Sequence, residues 1–228
     1  MSGFAAHVAS AGQHSHGPIG EGSGLMSFLG MWTGMMAAMM LPSLVPALWR
    51  YRRAVARAGK RRAGLPTALV AAGYFFVWTV VGLAVFLLGA SLAAIEMRLP
   101  GLARAVPAAA GVVVLIAGTL QFTAWKERQL ACCRESPGLG QTASGDAAAA
   151  VRYGLRLGSH CTCCCAGLTA ILLVTGMTDL RAMVAVTAAI TVERLAPAGK
   201  RVARVTGALI VAAGLSLVAR ELNGFLLP

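Results

Sequence analysis

Residues 22–49 read GSGLMSFLGMWTGMMAAMMLPSLVPALW, 28 positions without a charge, and are followed at once by Arg50, Arg52, Arg53, Arg57, Lys60, Arg61 and Arg62. About 20 apolar residues at 1.5 Å each cover a hydrocarbon core of roughly 30 Å, so this run predicts a membrane-spanning helix. The basic cluster behind it predicts a cytoplasmic loop.

Working outward from this span, further runs at 63–95, 105–125, 157–178, 180–196 and 205–219 predict five more helices, the last two being the shortest. Lys and Arg alternate across the intervening loops, with 16 in 50–62, 126–156 and 193–204 and 4 in the others. The expectation is an all-α, polytopic bundle of about six spans with both termini outside a bacterial cytoplasmic (inner) membrane. Hydrophobic residues make up 57% of the 228 positions, more apolar surface than one soluble core of this length could hide. The lipid bilayer is therefore the first expected partner.

Residues 1–23 are small and polar, with His7, His14 and His16, and are expected to form a flexible external tail. The membrane domain is expected over 24–219, and 220–228 as a short external tail. No basic segment precedes the first apolar run, so that run is expected to persist as a helix and not as a cleavable signal peptide. Between the third and fourth spans, 126–146 reads as a loop with Pro137, Gly138, Gly140 and Gly145. Residues 147–156 read as a short helix leading into the fourth span.

The net charge of +12 does not mark a nucleic-acid binder, because the basic residues sit between long uncharged stretches and build no such motif. Nor does the chain carry a nucleophile–base pair, a phosphate loop or an HExxH pattern that would name an enzyme class.

The chemistry lies in sulfur. All six Cys fall in two clusters, Cys132 and Cys133, then Cys161, Cys163, Cys164 and Cys165. Both belong to the cytoplasmic side, where thiols stay reduced and structural disulfides are not expected. At 100° per residue, Cys161, Cys164 and Cys165 share one arc of about 100° on a helix, while Cys163 points away. Such a thiol trio suits a low-coordinate soft ion, with copper as the expected cofactor and zinc or mercury as alternatives. Cys133, Cys132 and His160 are candidate lid ligands.

Six Met line the first span, at positions 26, 31, 35, 36, 39 and 40. Met31, Met35 and Met39 form one i, i+4 row and Met36 and Met40 the next, so Met35, Met39 and Met40 are candidate thioether ligands. The alternative is that these adaptable side chains simply fill the core. Glu193, an acid inside an apolar stretch, is a candidate to neutralise a cation, to carry a proton or to pair with Arg194 or Arg134.

Trp32-x-x-Met35-x-x-Ala38-Met39-Met40-x-Pro42, Lys126 with Cys133-Arg134, Cys161-x-x-Cys164-Cys165 and Glu193 together resemble a bacterial family of predicted metal-binding integral membrane proteins, a domain of unknown function. The resemblance covers about residues 26–219 and implies a membrane architecture and a metal site. Relatives place a further Cys at Gln129, a Gly at Cys163 and a Trp at Ala166, so Cys132 is the candidate replacement for the missing loop ligand.

Four functions compete on these residues. The first is soft-metal binding or transport, for copper above all, with a metal-handling partner protein and homo- or hetero-oligomers as further possibilities. A mercury-type transporter rests on Cys164-Cys165. A membrane thiol oxidoreductase, or a metallo-subunit of a membrane oxygenase complex, rests on Cys161-x-x-Cys164. The fourth is an interaction subunit without chemistry.

Overall fold

The computed structural model describes residues 18–59, 63–98, 106–135, 146–176 and 179–226. His7, His14 and His16 lie outside the described residues. Among the described residues seven helices follow in order: α1 Pro18–Arg57, α2 Gly64–Arg98, α3 Val106–Leu120, α4 Ala124–Glu135, α5 Ala147–Thr175, α6 Leu180–Leu195 and α7 Gly199–Leu226. The all-α expectation holds.

Four stretches are long and apolar enough to cross a membrane: Gly24–Arg57, Gly64–Arg98, Ala147–Thr175 and Gly199–Ala219. A fifth is added if the pair Ala109–Leu120 and Ala124–Cys133, bent by 68°, counts as one broken span. At 16 residues, α6 is about 24 Å long and falls short of a full crossing by itself.

Two expectations about local structure are corrected here. The single helix expected over 105–125 stops at Leu120, and the loop expected from Lys126 begins as helix α4. Thr123 accounts for the restart, since its hydroxyl accepts from the Lys126 backbone N–H (3.3 Å) and caps the new helix. Apolar periodicity carries no mark of such a break. In contrast, the helix expected at 147–156 does run without interruption into the Cys-bearing span, started by Asp146, whose carboxylate accepts from the Ala149 N–H at 3.2 Å.

Helix α5 is the axis of the bundle, packed against α2, α3, α4 and α6. Its buried row runs Ala149, Ala150, Tyr153, Gly154, Leu157, Gly158, Cys161, Cys164, Cys165, Leu168, Thr169 and Leu172, the 3–4 spacing of one helical face. Where α5 crosses α2 there is no room for side chains. A Cβ on Gly73 would come within 2.8 Å of the Val151 carbonyl oxygen, and one on Gly158 within 3.0 Å of the Tyr74 carbonyl oxygen. Small residues at such a crossing let two backbones touch, which is how helices associate when lipid offers no hydrophobic driving force.

The basic helix ends collect at one end of the bundle. Tyr51 near the end of α1 stacks on Tyr153 near the start of α5, ring centroids 5.3 Å apart. Glu127 on α4 meets Lys200 (3.2 Å) and Arg204 (3.0 Å) at the start of α7. Cys133 opens toward this end, while Cys161, Cys164 and Cys165 sit midway along α5.

Candidate metal centre

Helix α5 presents three thiols to the core. Cys161, Cys164 and Cys165 are buried, whereas Cys163 is half-buried, as the helical wheel requires. The Cys161 and Cys165 sulfurs are 4.0 Å apart, one turn from each other. Cys164 interacts electrostatically with Cys165 and with Cys133, the latter buried on α4. Four buried sulfurs, those of Cys133, Cys164, Cys165 and Cys161, thus cluster where α4 meets α5.

A fifth sulfur joins them. Met40 Sδ of α1 lies 3.9 Å from Cys161 Sγ. Met36 and Met40 are fully buried and Met39 is buried as well, while Met31 is 44% exposed. Met35 is half-buried against the core, and Met39 lines a separate apolar groove with Ala38 and Met183 between α1 and α6. Helix α1 holds this register through Trp32, whose indole N–H donates to the Trp78 carbonyl of α2 at 2.8 Å.

Around the sulfurs sits a polar shell. Tyr74 of α2 and Cys161 share a hydrogen bond of 2.9 Å between Oη and Sγ. Arg194 of α6 donates from Nη1 to Cys161 Sγ (3.2 Å) and to Ser43 Oγ (2.7 Å). Ser43 in turn donates to the Met40 carbonyl at 3.0 Å, next to Pro42, whose ring leaves helix α1 one N–H short. Thus Arg194 is tied to both helices that carry the closest sulfurs.

Glu193 has a lysine as an ion-pair partner. Its Oε2 meets Lys126 Nζ of α4 at 2.8 Å, and its Oε1 accepts from Gln121 Nε2 at 3.4 Å. Lys126 also donates to the Cys164 carbonyl at 2.6 Å. The break between α3 and α4 is what makes this arrangement accessible, since it brings Gln121 and Lys126 to the same carboxylate. His160 is half-buried and pairs through Nδ1 with Gln129 Oε1 at 2.9 Å, on the side of α5 that faces α4. Cys132 is half-buried on α4.

The buried charges number three among the described residues, Lys126, Arg194 and Glu193. Sequence reasoning missed Tyr74, Ser43, Gln121 and Lys126 as members of this shell. Tyr74 had one available signal, a phenol inside an otherwise apolar span.

Among the described residues, no three His, Cys, Asp or Glu side chains converge as a metal site. The soft donors closest to one another are two thiols and a thioether. With metal–sulfur bonds of about 2.3 Å, an ion bridging sulfurs 3.9 and 4.0 Å apart would have S–metal–S angles near 120°. Each of these two pairs is thus spaced to share a soft monovalent cation.

The sequence profile of PpoB2, a copper chaperone family, matches residues 29–217. No curated protein and no solved structure matches the chain. The match agrees with the metal-related family expected from the sequence motifs. Because it covers most of the 228 residues, the chain belongs to the PpoB2 copper chaperone family.

Proposed function

We propose that this protein is a membrane-embedded chaperone for Cu(I), which it holds on Cys161, Cys165 and Met40 and passes along Cys164 and Cys133 to or from a copper-handling partner. The observation that carries the reading is the pair of sulfurs beside Cys161, with Met40 at 3.9 Å and Cys165 at 4.0 Å in a buried setting. Thiolates and thioethers favour Cu(I) over harder ions, and mixed thiol–thioether sites bind it without trapping it.

Charge supports the same ion. A cuprous ion with two thiolates carries a net charge of minus one, and Lys126 and Arg194 are the buried cations of the surrounding shell. Copper is here the cargo, so weak, exchangeable donors are an asset.

In the membrane, α1, α2, the bent pair α3–α4, α5, α6 and α7 make the crossings, the short α6 with local thinning of the bilayer. Both termini lie outside, and the basic end toward which Cys133 opens faces the cytoplasm. A reducing compartment keeps the five sulfurs available.

The test is Cu(I) titration of protein purified in detergent under reducing conditions, read by competition with a chromogenic Cu(I) chelator. One tightly held copper per chain is expected, lost when Cys161, Cys164 and Cys165 are all replaced by Ser. In Met40→Leu the affinity drops roughly tenfold, about 1.4 kcal/mol. Full retention of copper by the triple Ser variant would overturn the assignment.

A further inference from the structure

One cavity touches this site from outside it. Some 270 Å³ in volume, it lies at the basic end between α1, α4 and the end of α6, lined by Ser43, Pro46, Arg50, Cys133, Arg194 and Pro197 among others. Arg50 is exposed at its rim, and Arg194 reaches from its wall to Cys161 Sγ at 3.2 Å. Cys133 is the sulfur it contains, a member of the thiol cluster.

We infer that this cavity is the port through which copper is exchanged, and that the species it accepts is a small anionic Cu(I)–thiolate complex. The inference rests on the copper reading above and adds the chemical form of the substrate. Three features select that form. Two guanidinium groups, Arg50 and Arg194, line the cavity, and guanidinium matches carboxylates and other planar anions. A volume of 270 Å³ suits a ligand of peptide size. A cysteine on the wall supplies a thiol to take the ion over.

The transfer is a ligand exchange. Cys133 sulfur bonds to Cu(I), one carrier sulfur leaves, and the proton of the Cys133 thiol departs on that carrier as a neutral thiol. Copper remains cuprous throughout, and no electron moves. Cys164, the α5 thiol that interacts with Cys133, is the next acceptor, and Cys165 and Cys161 follow.

The experiment compares two copper donors with the full chain in detergent. One is the anionic Cu(I) complex of glutathione; the other is the cationic Cu(I)–acetonitrile complex. Loading is followed by stopped-flow absorbance of the copper–thiolate bands. In Arg50→Gln the ratio of the glutathione rate to the acetonitrile rate is expected to drop roughly tenfold, the scale of electrostatic focusing in a charged cleft. Arg50→Lys should restore part of it, and added salt should lower the wild-type glutathione rate. In Cys133→Ser, loading from both donors slows.

An unchanged ratio in Arg50→Gln, or wild-type loading in Cys133→Ser, would overturn the port. So would a copper-loaded soluble protein that delivers faster than the glutathione complex with the same dependence on Arg50. Failure to bind copper from any donor would instead refute the chaperone reading itself.

Discussion

The contact between α3 and α7 and the contact of α5 with α1, α4 and α6 are built on opposite principles. Between α3 and α7 the seam is small and apolar: Gly118 fits against Ile210 and Val211, and Gly214 fits against Leu115. Around α5 the core contains Lys126, Glu193, Arg194 and four thiols. Close packing of small residues is enough to hold two helices together in lipid. It does not specify which polar groups meet. The charged core does, because each buried charge tolerates few arrangements, and here those arrangements place Met40, Tyr74 and Arg194 around one sulfur.

The largest effect should come from breaking the charged core. In Glu193→Ala the Lys126 ammonium is left buried without its carboxylate, and the expected loss of stability is about 3–5 kcal/mol. Denaturant unfolding in detergent measures it, and the double variant Lys126→Met/Glu193→Leu should recover most of the loss. A loss below about 1 kcal/mol, the range of exposed pairs, would mean that the pair is solvated and the contrast is false.

The apolar seam should respond less and without chemical consequence. A side chain at Gly214 has to displace Leu115, 2.9 Å from the position of its Cβ, so Gly214→Leu is expected to cost about 1–3 kcal/mol through overpacking. Its copper stoichiometry should match the wild type. Loss of copper there would show the two regions to be coupled.

The smallest effect sharpens the comparison within the core. Tyr74→Phe removes one hydrogen bond to Cys161 and no charge, with an expected cost of about 0.5–1.5 kcal/mol in the copper-free protein. An effect as large as that of Glu193→Ala would shift the weight of the core from the ion pair to the sulfur cluster.

Much of the sulfur cluster is legible in the order of the amino acids. Residues 161, 164 and 165 share a face because a helix turns 100° per residue, and that holds in any helical context. The methionines are not resolved in the same way. Two adjacent rows of α1 both carry Met, so only the rotation of α1, held by the bond from Trp32 to Trp78, decides that Met40 meets Cys161 while Met39 turns to the groove beside α6. Glu193 is legible as an anomaly, but its partner is not. Lys126 is 67 positions away in sequence and reaches it only because α3 breaks at 121–123.

The sequence by itself determined the all-α class, the long apolar helices, the basic end and the shared face of the thiols, since these follow from chain composition and helical period. Tertiary structure alone decided which methionine, which phenol and which cations surround those thiols. Helical period states what lies on one face of one helix; which faces meet depends on rotations and breaks that arise only when helices pack.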